Sequence, residues 1–191
     1  MTKVVLINGS FGVGKTTVAR LVAARRAGTA LFDPERIGYV LRRLPAWLPG
    51  SAKALDDYQD SPSWRRLVAF CAVRLARWRR SDLLVPMCFA RKDYVDELAQ
   101  AVRASGLDWV EICLTAELQI IYGRLRERGA FAVADGGAWL ERKAAAACAA
   151  HAAPGYGIRI ATDRLMPDET AARVLEAAFA DTRSGVAGAV H

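Results

Sequence analysis

The stretch Lys3-Val-Val-Leu-Ile-Asn8-Gly9-Ser10-Phe11-Gly12-Val13-Gly14-Lys15-Thr16-Thr17 decides the fold of this 191-residue chain. Its first half is a short aliphatic run without polar alternation, the signature of a strand buried on both faces of a parallel sheet. Its second half satisfies G-x-x-x-x-G-K-[ST], the pattern of a loop that holds phosphate. Glycines let the backbone close around an anion and adopt positive φ, so that successive N–H groups and the next helix N-terminus point at it. Lys15 is placed to reach the β- and γ-phosphates of a nucleoside triphosphate, and Thr16 to offer its hydroxyl to Mg2+. Gly9, Gly12, Val13, Gly14, Lys15, Thr16 and Thr17 are therefore the predicted phosphate-binding set.

Working outward, Val18, Leu21, Val22 and Arg25 recur at spacings of three and four and predict a helix over 15–26. Short apolar runs predict further strands at 30–32, 83–87, 109–114 and 157–161. Between them, Asp33-Pro34 supplies a cap and a first-turn proline for a helix reaching 43, and Ser61-Pro62 does the same for a helix over 62–79. Further helices are predicted at 94–104, from a Thr115 cap to 128, at 139–152 and at 167–181. Strands alternating with helices predict one α/β domain over 1–183, a parallel sheet covered on both faces in three α/β/α layers. The small residues of 184–191 read as a fraying tail. Residues 44–60, with Pro45, Pro49 and Gly50, form the longest irregular stretch, of a length typical of binding loops and lids.

Hydrophobic residues at 53% and charged residues at 25% exclude a disordered, collagen-like or coiled-coil chain. No apolar run approaches the roughly 18 residues of a membrane span, and nothing resembles a signal peptide, so a soluble cytoplasmic protein is expected. Cys71, Cys88, Cys113 and Cys148 lie far apart, and the only histidines are His151 and His191. That spacing offers neither zinc ligands nor a disulfide framework. The net charge is +7, with arginine dominant. Arg65, Arg66, Arg74, Arg77, Arg79 and Arg80 make one helix strongly basic. It reads first as a solvated face, with nucleic acid or an anionic membrane surface as the alternatives.

A phosphate loop does not say where the γ-phosphate goes. A small chain with one long irregular stretch after its second strand favours transfer to a small acceptor. An arginine cluster, Arg124, Arg126 and Arg128, follows the fourth strand, with Arg124 and Arg128 on one helical face. Asp33, at the carboxyl end of the second strand, stands where α/β sheets place ligands. It is also a good N-cap, and both roles can hold together.

In order and motif the chain resembles the small P-loop kinases, which include nucleoside monophosphate, shikimate, gluconate and chloramphenicol kinases. More specifically it resembles the bacterial tunicamycin-resistance protein family. The resemblance rests on Ile7-Asn8-Gly9, Phe32-Asp33-Pro34-Glu35-Arg36-Ile37-Gly38, Asp56-Asp57-Tyr58-Gln59, Pro62-Ser63-Trp64-Arg65, Leu84-Val85-Pro86-Met87, Arg124-Leu125-Arg126-Glu127-Arg128 and Trp139, spread over most of residues 4–165. It implies a five-stranded sheet in the order 2-3-1-4-5, and phosphorylation of tunicamycin, a uridine-containing nucleoside antibiotic. ATP and Mg2+ are then the cofactors. On this reading Lys15, Asp33 and Arg128 are catalytic, and Arg124 and Arg128 stack the adenine and contact the phosphates. Thr16, and Asp33 through water, hold Mg2+. Asp33, Gln59, Trp64 and Arg65 meet the acceptor, within an acceptor-binding region at 34–80, and a short lid spans 128–142 with Arg126 and Arg142 as possible donors. Trp64 is equally a core anchor of its helix, and Asp56, Asp57 and Asp60 read as a solvated acidic loop. Val85-Pro86-Met87 carries no acidic residue at the end of the third strand, where many such kinases have one. Two other readings stay open: a protein that sequesters nucleotide and drug without turnover, and a kinase of another small molecule.

Overall fold

The opening run forms β1 (Lys3–Gly9), and its Val4, Val5, Leu6 and Ile7 are all inaccessible to solvent. A strand so uniformly apolar needs neighbours on both edges and cover on both faces. The computed structural model describes residues 2–45, 47, 55–131 and 136–180. In it β1 lies between β3 (Asp82–Pro86) and β4 (Asp108–Thr115), with β2 (Thr29–Leu31) and β5 (Ile158–Ala161) at the edges. Every pairing is parallel and the order is β2-β3-β1-β4-β5.

Successive side chains of a strand point to opposite faces, and this alternation sorts the core into two layers. Val5, Ile7, Leu84, Ile112 and Leu114 pack against α1 (Lys15–Arg25), α5 (Leu118–Glu127) and α7 (Pro167–Phe179). Val4, Leu6, Leu83 and Val85 face α2 (Glu35–Arg43), α3 (Pro62–Arg79) and α4 (Lys92–Ala104). Helix α6 (Gly136–Ala152) buries Ala144 on the α1 side. The three layers are those the sequence predicts.

Local signals place several boundaries. Ser61 accepts the N–H of Trp64 at 3.4 Å and Pro62 opens α3, so the predicted cap is in place. The Thr115 cap is not. Thr115 still pairs with Ala161 of β5, so β4 runs on through it and Glu117 stands at the N-cap of α5. Helix α6 begins at Gly136 rather than Trp139, and α7 ends at Phe179 rather than at 181. The tail at 184–191 and part of the expected lid lie outside the described residues.

All four cysteines are free. Among the described residues no group of three or more His, Cys, Asp or Glu is placed to hold a metal ion, and no helix is long and apolar enough to cross a membrane.

Because the strands are parallel, their carboxyl ends share one edge of the sheet, where the loops after β1, β2, β3, β4 and β5 converge. Leu84, wholly buried in the central part of the sheet, tests this core. Leu84→Ala is expected to cost about 3 kcal/mol in urea unfolding, the usual cost of a cavity at a rigid site.

Candidate active site

At the end of β1 the amide of Asn8 is completely buried. Its Oδ1 accepts the N–H groups of Gly9 (2.9 Å) and Phe89 (2.8 Å), and its Nδ2 donates to the Phe89 carbonyl at 3.1 Å. One side chain thus replaces the ladder bonds lost where the chain leaves β1 and β3. Gly9 then takes φ 143°, and a Cβ there would stand 2.5 Å from the Leu114 carbonyl oxygen. Gly14, at the N-cap of α1, is left-handed with φ 105° and nothing near its missing Cβ. The result is a cradle of backbone in front of α1 whose space side chains would otherwise fill.

Lys15 is only 9% exposed. Its Nζ donates to the Ser10 carbonyl at 2.9 Å, and the same oxygen takes the Val13 N–H at 3.3 Å. Burial pulls the Lys15 ammonium below the ordinary lysine value, the charge of Glu35 opposes the shift, and Arg128 adds to it. Among the described residues Lys15 has no carboxylate ion-pair partner. A buried cation facing an open backbone cradle fits a triphosphate. Thr16, exposed in the first turn of α1, and Asp33, exposed after β2, are the residues present to hold Mg2+.

The loop divides two clefts. One, of about 350 Å³, is lined by Gly12, Gly14, Thr17, Arg124, Arg128 and Thr162. Arg124 is fixed there by donating to Thr162 Oγ1 (3.1 Å) and to the Thr162 carbonyl (2.7 Å). Arg128, at the C-cap of α5, lies exposed at the rim. The second cleft, of about 140 Å³, lies beside Phe11 and is lined by Asp57, Gln59, Cys88, Tyr94 and Lys143. Gln59 Nε2 donates to the Cys88 carbonyl at 3.0 Å, and Tyr94 donates its hydroxyl to Asp60 at 2.7 Å. Lys143 of α6 pairs with Asp57 (3.2 Å) and Asp56 (3.3 Å). Burial pushes the Cys88 thiol up to about 11, so it stays neutral beside Lys15.

The predicted residues separate on this geometry. Gly12, Val13, Gly14, Thr17, Arg124 and Arg128 line the larger cleft and Gln59 lines the smaller one, while Gly9, Lys15, Thr16 and Asp33 line neither. Trp64, expected either to meet the acceptor or to anchor its helix, does the second. It is 0% exposed, wedged between the rings of Tyr58 (5.2 Å) and Phe89 (6.0 Å), because the 64, 68, 72, 76 spacing turns it into the core. Arg65 also misses the cleft: it pairs with Glu97 at 2.7 Å and donates to the Gln59 carbonyl at 2.8 Å, holding that turn from behind. Asp57 is no solvated loop residue, since it takes the Gln59 N–H at 3.0 Å and faces Lys143.

Sequence reasoning missed Glu35. Asp33 Oδ1 accepts the Glu35 N–H at 3.0 Å, which sets the first turn of α2. The half-buried Glu35 carboxyl has its pKa raised, first by burial and then by the charge of Asp33, against the pull of Lys15. Lys143, Tyr94 and Phe11 left no local signal.

No protein-family model matches the chain, and no curated protein matches it. Solved structures do. The tunicamycin resistance protein of Deinococcus radiodurans superposes with TM-score 0.70 at 22% identity, over 91% of this chain and 94% of that one. This is the P-loop kinase fold. A Janibacter sugar kinase gives TM-score 0.62 at 20% identity over 93% and 94% of the two chains. The Mycobacterium tuberculosis APS kinase, solved with AMPPNP and APS, gives 0.63 at 20% over 92% and 96%. Within this shared fold, Gly9–Thr16 carries the turn from β1 into α1.

Two outcomes follow for the P-loop and its surroundings. Asn8→Leu strands two buried N–H groups and is expected to cost about 3 kcal/mol in urea unfolding. Glu35 binds its proton more tightly in the folded state than in the unfolded one. Its contribution to stability therefore falls as pH rises from the ordinary glutamate value through the raised folded value. Glu35→Gln should raise the melting temperature at pH 8 and leave it unchanged near pH 4.

Proposed function

We propose that the chain is an ATP-dependent phosphotransferase that moves the γ-phosphoryl group to a hydroxyl of a nucleoside-type antibiotic such as tunicamycin, conferring resistance to it. The observation that carries this reading is the P-loop standing as a wall between two clefts, with the Lys15 ammonium buried in it. The nucleotide takes the larger cleft, its base against Arg124 and Arg128, and the reacting ring of the acceptor takes the smaller. The tunicamycin resistance protein with the same fold supports the choice of acceptor.

In the reaction the acceptor oxygen attacks the γ-phosphorus, the bond to the β-phosphate oxygen breaks, and ADP leaves. Lys15 and the loop amides meet the charge that develops on the transferred group. Glu35, made more basic by burial, takes the hydroxyl proton, and Asp33 orients the acceptor. Thr16, and Asp33 through water, would hold Mg2+, which would supply charge neutralisation to the bound nucleotide. Gln59 and Asp57 accept hydrogen bonds from acceptor hydroxyls.

Mass spectrometry of tunicamycin incubated with protein, ATP and Mg2+ tests this directly. One added phosphoryl group is expected, with Lys15→Ala folded but slower by about 10²-fold or more. An unmodified drug, protected only up to one equivalent of protein, overturns transfer in favour of sequestration.

A further inference from the structure

The inner side of α3 is used up by Trp64, Val68, Ala72 and Ala76, which are buried in the core. Its outer side is a different matter. Leu67, Phe70 and Trp78 are 37%, 62% and 79% exposed, at helical spacings that put them on one stripe with Arg74. From Pro62 to Ser81 the chain has six arginines and no acidic residue. Arg65 alone of these is paired with a carboxylate. Arg77 bonds only to the Ser105 carbonyl and Arg79 stacks on the Trp78 ring at 5.9 Å. Arg66 and Arg74 have no partner among the described residues.

This combination has a specific physical meaning. Arginines whose stems lie along apolar side chains while their heads reach further out suit a surface that is anionic on top and apolar beneath. Tryptophan is at home at that depth of a bilayer. Arg66 also lines a groove between α3 and α4, beside Arg65, Ala69 and Glu97, while Leu67, Phe70 and Trp78 project outside it. Nucleic acid would satisfy the arginines and leave Leu67 and Phe70 in water. Helix α2, packed against α3, continues the chemistry with exposed Tyr39 and Val40 beside Arg36 and Arg43. We propose that the outer face of α3 docks on an anionic lipid bilayer, Leu67, Phe70 and Trp78 entering the headgroup layer and Arg66 and Arg74 binding lipid phosphates. The basic helix read from sequence as a solvated face is then an interfacial one.

Co-sedimentation with phosphatidylglycerol and with phosphatidylcholine vesicles tests the docking. The full chain is expected to pellet with the anionic vesicles and at least tenfold less with the zwitterionic ones. Phe70→Ser with Trp78→Ser should reduce the anionic partition at least tenfold, and Arg66→Gln or Arg74→Gln each by about fivefold. These side chains are exposed and line neither cleft beside the loop, so thermal melts and nucleotide affinity should stay at the parent values. No pelleting with anionic vesicles, or pelleting indifferent to the Phe70/Trp78 pair, overturns the proposal. Loss of oligonucleotide binding in the same variants, with vesicle binding intact, assigns the face to nucleic acid instead. Conversion of a dimer to a monomer by the Phe70/Trp78 pair, without an effect on vesicles, assigns it to a second copy of the chain.

Discussion

The Asn8 amide holds the two halves of the site in one frame. Strand pairing between β1 and β3 ends with Ile7 opposite Pro86, and a proline has no N–H to extend the ladder. Met87 still reaches back to the Ile7 carbonyl at 3.1 Å, and beyond it the buried amide clasps Phe89 through both its N–H and its C=O. His151 of α6 adds a further bond to the same carbonyl at 2.9 Å, which fixes its Nε2 as the protonated nitrogen. Through Cys88 the frame continues to Gln59, and through the Gln59 carbonyl to Arg65 and Glu97 of α4. The P-loop and the smaller cleft therefore move as one body with the sheet.

The electrostatics of the site are those of a place prepared for an anion. Lys15 and Glu35 are both pushed by burial toward their neutral forms, and each leans on the other for part of its charge. Neither shift helps the protein alone. A polyanion beside Lys15 relieves its ammonium and raises the Glu35 proton affinity further, so the buried cation is the group that becomes a binding determinant.

What was legible in the sequence was local. The P-loop glycines, the Ser61 cap and the all-apolar β1 are encoded within a few residues of where they act, and the covered parallel sheet followed from strands alternating with helices, its order 2-3-1-4-5 from the family resemblance. Where two local signals competed, tertiary pairing decided: Thr115 is a plausible cap until β5 arrives to extend β4. Trp64 carried both readings, and the 64, 68, 72, 76 spacing was the one that settled its burial. Glu35 and Lys143 were not legible, because their significance depends on Lys15, twenty residues earlier, and on Asp57, 86 residues earlier. The exposed stripe of α3 was half legible: its charge was plain, but which aromatic residues remain outside depends on which face the core claims.

The thinness of the wall between the clefts has a stereochemical consequence. Phe11 lines one side and the adjacent Gly12 the other, so the thickness separating the spaces read as donor and acceptor sites is a single turn of backbone. Among the described residues no cysteine or histidine lines the larger cleft, and the Cys88 thiol on the smaller one is kept neutral by burial. On the reading proposed above, a phosphoryl group would cross from one side to the other in a single in-line displacement. A chiral γ-phosphorus entering from the nucleotide side would leave with its configuration inverted.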